Sequence, residues 1–248
     1  MRNVKLVIAY DGSNYHGFQE QRGTGLLTVQ EVLESCLRKK AGREIKVVGA
    51  ARTDTGVHAQ GQVVNFDLGG WNIPVARIPL ALNSILPDDV VVREAGEAPP
   101  EFHARFSALA KTYRYTIYNT RIPSPFWRLY SHFEPRPLNL EAMILAAKYL
   151  RGRYDFTSFQ AAGASTKTTV RTIFEVGVCR SGELVYLSFR GDGFLYQMVR
   201  IMVGTLIEVG LGKRSPEEIK EILEAKRRTK AGPTAPARGL CLVNVEYV

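Results

Sequence analysis

Apolar positions along the chain switch between a period of two and one of about 3.6, and each switch marks an element. Residues 4–10 form an apolar run ended by Asp11-Gly12-Ser13, which predicts a buried strand and a turn. Thr28 then caps a helix, and Glu31 completes a capping box. Val29, Val32, Leu33, Cys36 and Leu37 continue at helical spacing towards residue 40. Short strands are predicted at 45–49 and 62–66, a short helix at 74–82 and a strand at 90–94, with Pro87 stopping what precedes it. In the second half, 112–118 is a strand of aromatic and β-branched residues, and 140–150 is a helix capped by Asn139. Residues 170–180 and 183–190 read as a hairpin about Ser181-Gly182. A long apolar helix follows at 195–209. Another is opened by Ser215-Pro216-Glu217-Glu218, with Ser215 as cap, and ends in Lys226-Arg227-Arg228; residues 240–248 form a terminal strand.

Both halves interleave strands and helices in a loosely similar order. This predicts two α+β lobes, 1–105 and 106–248, in a pseudo-duplicated fold without a letter-level repeat. The 248 residues, 45% of them hydrophobic, suffice for a large core. No run of eighteen apolar residues predicts a membrane span. The first residues lead straight into a strand and lack a signal-peptide profile. Cys36, Cys179 and Cys241 are odd in number and far apart, which fits neither a disulfide framework nor a zinc site and points to a reducing cytoplasm. The net charge of +9 is one-sided. Residues 1–105 hold 12 Lys/Arg and 12 Asp/Glu, whereas residues 106–248 hold 21 and 12, a surplus of nine. Such a surplus suits a polyanion such as nucleic acid, and equally a merely basic soluble protein.

Three segments depart from ordinary patterning. Residues 49–59, Gly-Ala-Ala-Arg-Thr-Asp-Thr-Gly-Val-His-Ala, place Arg52, Asp54 and His58 among small residues between two apolar strands. Such a loop admits close approach of a ligand, although an aspartate there can also cap its own turn. In the strand at 112–118, Tyr113, Tyr115 and Ile117 share one face. That face is suited either to stacking on bases or to a sheet core. Arg200 sits within a helix of Leu195, Val199, Met202, Val203, Leu206 and Ile207. It must reach water or a polar partner, because an unpaired buried guanidinium is very unfavourable.

The segment from Ala51 to Ala59 resembles the signature loop of the tRNA pseudouridine synthase A family. Tyr10-Asp11-Gly12-Ser13, Gly17-Phe18-Gln19 and Ser84 to Asp88 resemble the family's first lobe. The segments at 102–108, 111–115 and 155–159, and Met198-Val199-Arg200 with Val203-Gly204, resemble its later parts in the same order. Tyr196-Gln197 differ from relatives that carry histidines there, and 214–238 matches only loosely.

The resemblance implies an α+β fold of two ferredoxin-like lobes, similar to RNA-recognition domains. These form a continuous, mainly antiparallel sheet with flanking helices and a central cleft. It implies isomerisation of uridine to pseudouridine at tRNA positions 38, 39 and 40 in the anticodon stem-loop, with no cofactor and no metal, by a cytoplasmic homodimer. Asp54 corresponds to the essential nucleophile, attacking either C1′ of the sugar or C6 of the base. Tyr113 corresponds to a ring that stacks on the target uracil, Arg200 to the partner of Asp54, and Arg52 to the residue that fills the space left by the flipped nucleotide. The expected tRNA contacts are Phe102, His103, Ala104, Arg105, Phe106, Arg121, Gly163, Ala164, Ser165, Thr166 and Lys167. His58 joins them unless it simply holds its loop, the role favoured here. Two other readings compete. A non-catalytic RNA-binding module would not need Asp54, and a metal-dependent nuclease would want several clustered carboxylates.

Overall fold

The computed structural model describes residues 2–21, 23–163 and 166–248. In chain order its elements begin with β1 (Asn3–Tyr10), α1 (Val29–Ala41), β2 (Val48–Gly49), β3 (His58–Asp67), α2 (Ile78–Asn83) and β4 (Val90–Glu97). There follow β5 (Ala110–Tyr118), β6 (His132–Phe133), α3 (Leu140–Leu150), β7 (Gly152–Asp155) and β8 (Val170–Ser181). The last are β9 (Leu184–Gly191), α4 (Met198–Gly210), α5 (Glu218–Ala225) and β10 (Leu240–Glu246). Among the described residues these are ten strands, mainly antiparallel, and five α-helices, an α+β arrangement.

The chain divides into two compact units. One comprises Met1–Leu109 with Cys241–Val248, and the other Ala110–Leu240. The terminal strand, grouped by sequence with the second half, thus belongs almost wholly to the first unit. In that unit β4, β1 and β3 pair antiparallel, and β10 runs parallel to β3 with Cys241 opposite His58. The core includes Leu6, Ile8, Leu33, Leu37, Val64 and Leu82, all inaccessible to water. The Thr28–Glu31 capping box is formed at the start of α1, and Gly42 closes the helix in a left-handed conformation with φ 69°. In the second unit, antiparallel ladders join β5 to β9, β9 to β8 and β8 to β7, while β6 runs parallel to β5.

Several boundaries differ from the sequence pattern for identifiable reasons. Ile45 and Val47 are buried, but the Val47 amide donates to the Glu34 carboxylate at 3.0 Å instead of a ladder partner, so β2 shrinks to two residues. The stretch expected as one helix at 74–82 is a 3-10 turn, Val75–Arg77, followed by α2 with Pro79 near its start. Gln197 adopts a left-handed φ of 57°, so α4 starts at Met198 rather than at 195. Ser215 does not cap α5. Its amide instead donates to the Glu218 carboxylate at 2.7 Å, and the helix begins at Glu218. Strands β6 and β7, of two and four residues, are too short to show a period in sequence.

Candidate active site

Tyr10 at the end of β1 lies opposite Ala59 near the start of β3. The segment leaving β1 (11–18) and the one entering β3 (50–57) therefore run close together, and the second carries Arg52, Thr53 and Asp54. The two backbones touch. The Phe18 amide donates to the Thr53 carbonyl at 3.1 Å, and the Gly56 amide to the Tyr15 carbonyl at 3.2 Å. Only glycine fits at two of the contacts. A Cβ on Gly12 would lie 2.1 Å from the Val57 carbonyl oxygen, and one on Gly17, whose φ is +90°, 2.6 Å from that of Thr53.

Side chains from the strands complete the support. Gln62, inaccessible in β3, donates through Nε2 to the Ala51 carbonyl at 2.7 Å and accepts the Ala51 amide at 3.1 Å. The Tyr10 hydroxyl hydrogen-bonds to Thr53 Oγ1 at 2.7 Å, and burial holds its pKa above the ordinary tyrosine value. His58 is 7% exposed, and its Nδ1 accepts the Gly12 amide at 3.1 Å. Asp11 Oδ1 is also 3.1 Å from Nδ1. An unprotonated Nδ1 serves the Gly12 amide, and a protonated one would serve Asp11. On this framework Asp54 is half-buried and Arg52 is exposed. Arg52 and Asp54 thus lie on this braced segment, and His58, the first residue of β3, bonds to the Gly12 amide and so helps to hold it.

In the second unit, Tyr113 lies in β5 opposite Phe189 of β9 and is 7% exposed. Its ring meets Phe194 edge-on, with centroids 5.1 Å apart and planes at 83°. Tyr115, on the same face, is fully buried and donates its hydroxyl to the Pro236 carbonyl at 2.9 Å, so this part of the tyrosine face is core. Arg200 sits half-buried in the first turn of α4. Its Nε donates to the Ala235 carbonyl at 2.7 Å, and the Ala235 amide returns a bond to the Arg200 carbonyl at 3.0 Å. The loosely matched stretch at 214–238 therefore contains a strap that lies along α4 and helps orient Arg200.

The candidate nucleic-acid contacts fall into distinct groups. The Phe102 ring packs against Tyr247, tilted by 56° with centroids 4.9 Å apart, and its carbonyl accepts from Asn3 at 2.9 Å and Asn65 at 3.3 Å. Ala104 is fully buried, with its amide on Asn65 at 2.8 Å and its carbonyl receiving the Tyr247 hydroxyl at 2.7 Å. Phe102 and Ala104 thus anchor a loop whose His103 ring packs on Phe106 at 4.3 Å. The loop presents Arg105 and the 75%-exposed Phe106, with the guanidinium 5.5 Å from that ring. Arg121 and Lys167 are exposed; Gly163 has φ +83°, and Thr166 accepts from Gln160 at 3.0 Å. Ala164 and Ser165 lie outside the described residues.

The sequence matches the tRNA pseudouridine synthase family over residues 6–107 and 146–248, which include Asp54 and Arg200. The chain belongs to this family of isomerases. A tRNA pseudouridine synthase A of Acetivibrio thermocellus is 49% identical over 247 residues, covering 100% of both chains. One of Moorella thermoacetica is 52% identical over 98% of this chain and 99% of the relative, and one of a Thermoanaerobacter species is 47% identical over 100% of both. A chain in a crystal structure of a Cbf5-Nop10-Gar1 complex aligns with 96% of this chain and 57% of its own. Its TM-score is 0.39 and its identity 9%, too slight a likeness to bear on the fold.

For a pseudouridine synthase loop, the residues that escaped the sequence reading are the supports. Gln62 and Tyr10 both read as parts of apolar strands. The available signal was strand alternation, which puts Gln62 on one face with Val64 and Phe66, where a polar side chain must find partners.

Proposed function

We propose that this enzyme converts uridine to pseudouridine at positions 38, 39 and 40 of the tRNA anticodon stem-loop, with Asp54 as nucleophile. The reading is supported by one observation above all: in a chain matched by this family, the single carboxylate of the signature loop is held on a backbone anchored from several sides. The carboxylate adds to the nucleotide at C1′ or C6, the N1–C1′ bond breaks, and the uracil turns. A C5–C1′ bond then forms, the bond to Asp54 breaks and returns the free carboxylate, and the C5 proton leaves to a base. The reaction requires the nucleotide to leave its stack, since N1 and C5 cannot exchange within a paired helix.

Arg200 is assigned the counter-charge of Asp54, keeping the carboxylate ionised. Tyr113, whose ring is already braced by Phe194, is assigned stacking on the uracil and acceptance of the C5 proton. Arg52 is assigned the space left by the flipped nucleotide. Arg105, Phe106, Arg121, Gly163, Thr166 and Lys167 supply phosphate and backbone contacts, with Phe102, His103 and Ala104 shaping one of these loops. No cofactor takes part. The finer architecture belongs to the same proposal: two ferredoxin-like lobes sharing one sheet around a cleft, in a cytoplasmic homodimer that binds tRNA.

The test is incubation with an unmodified tRNA transcript followed by chemical mapping of pseudouridine. Modification at 38–40 by the wild type is expected. Asp54→Asn should form none while binding tRNA as the wild type does. Turnover by that variant would remove Asp54 as nucleophile.

A further inference from the structure

The support beneath Asp54 has a directional pattern. Among residues 51–54, Ala51 and Thr53 are each 7% exposed, whereas Arg52 is exposed and Asp54 half-buried. That alternation is the signature of extended backbone, in which neighbouring side chains leave on opposite sides. The inward positions are the pegged ones. Gln62 takes both backbone groups of Ala51, at 2.7 and 3.1 Å, and so sets the direction of the chain as it approaches Arg52. Thr53 is held by its carbonyl, on the Phe18 amide, and by its hydroxyl, on Tyr10. Tyr10 and Gln62 are themselves buried, so both pegs lie beneath the loop, shielded from water.

An apolar residue of similar size could fill the space of Gln62. A fully buried carboxamide is unfavourable unless its polar atoms are satisfied, and here they are satisfied by the loop.

We infer that Gln62 and Tyr10 are positioning residues of the isomerisation. By drawing Ala51 and Thr53 inward they force Arg52 and Asp54 to the opposite side, towards the nucleotide. The inference rests on the proposed role of Asp54. It adds that the rate depends on polar groups that touch neither substrate nor the Asp54 side chain. Their effect belongs to the chemical step, because tRNA affinity comes mainly from phosphate contacts elsewhere.

The experiment measures single-turnover rate, tRNA Kd and Tm for Gln62→Met, Tyr10→Phe, Thr53→Val and the Tyr10→Phe/Thr53→Val double variant, with Asp54→Asn alongside. Gln62→Met should lose roughly 10- to 100-fold in rate, the scale expected when a reacting group is misplaced by about 1 Å, with Kd unchanged within about twofold. Tyr10→Phe and Thr53→Val should each lose rate by a similar factor, and the double variant should be no slower than the worse single, because all three break one hydrogen bond. Should Gln62→Met fail to fold, the Tyr10–Thr53 cycle decides alone. Wild-type rates in folded Tyr10→Phe and Gln62→Met would overturn the inference, as would rate losses matched by weaker tRNA binding or multiplicative losses in the double variant. If Asp54→Asn itself turns over, the assignment of Asp54 has failed instead.

Discussion

Gly17→Ala would add one carbon where the 11–18 segment crosses the Asp54 loop. The backbone φ of +90° is strained for any L residue by about 1–2 kcal/mol. The new Cβ would stand 2.6 Å from the Thr53 carbonyl oxygen, and ordinary contact begins at 3.4 Å, so the oxygen must recede by 3.4 − 2.6 = 0.8 Å. Such a shift stretches the 3.1 Å bond from the Phe18 amide out of range, a loss of about 1 kcal/mol. The stiffer unfolded chain returns about 0.5 kcal/mol. The net destabilisation is about 2 kcal/mol, or about 4–8 °C in Tm for a chain of this size. Because Thr53 adjoins Asp54, turnover should fall by roughly 10²-fold as well. Gly42→Ala is the matched control. Its φ is +69° and, among the described residues beyond its chain neighbours, no atom lies within 4 Å of the added carbon, so it carries backbone strain without displacement. Urea titrations and single-turnover assays of both variants provide the comparison. The reasoning is refuted if Gly17→Ala is no less stable than Gly42→Ala and retains full turnover.

Other consequences can be measured independently. Burial holds the His132 pKa below the usual 6.5, and among the described residues its Nδ1 has no hydrogen-bond partner. The fold therefore favours the neutral ring, so stability is complete above about pH 6.5 and declines as pH falls towards the folded value. Between pH 7.5 and 5 the urea midpoint of the wild type should drop more than that of His132→Phe; equal drops would show that the ring titrates freely. Arg105→Ala should reduce the slope of log Kd for tRNA against log salt by about one unit, and an unchanged slope would place the guanidinium off the phosphates. Pseudouridine formation should persist in excess EDTA, whereas loss of activity restored by a divalent ion would reveal a metal requirement.

The helix at 140–150 was legible to the residue, because Asn139 does cap it, accepting the Ala142 amide at 3.0 Å. So were the capping box at Thr28 and the hairpin turning at Gly182, whose φ is +57°. These signals are local, with side chain and backbone group a few residues apart. The Ser215 cap failed for an equally local reason, since the Glu218 carboxylate captured the amide first. Asp54 stood out as a lone carboxylate among small residues, and the order of family-like segments around it carried the functional reading. The sequence by itself thus determined the main elements, the placing of the basic surplus and the loop to which the chemistry is assigned.

What only the tertiary structure decided is which side chains hold that loop. Gln62 is eleven residues from Ala51 and Tyr10 is 43 from Thr53. Alternation groups Gln62 with Val64 and Phe66, but the backbone groups that satisfy it come from a segment whose position only the folded sheet sets. The same holds for the terminal strand, which joins the first unit beside β3 although more than 170 residues separate Cys241 from His58. Local propensity records the conformation of a segment, whereas its partners depend on contacts that form only when distant segments bury their apolar faces together.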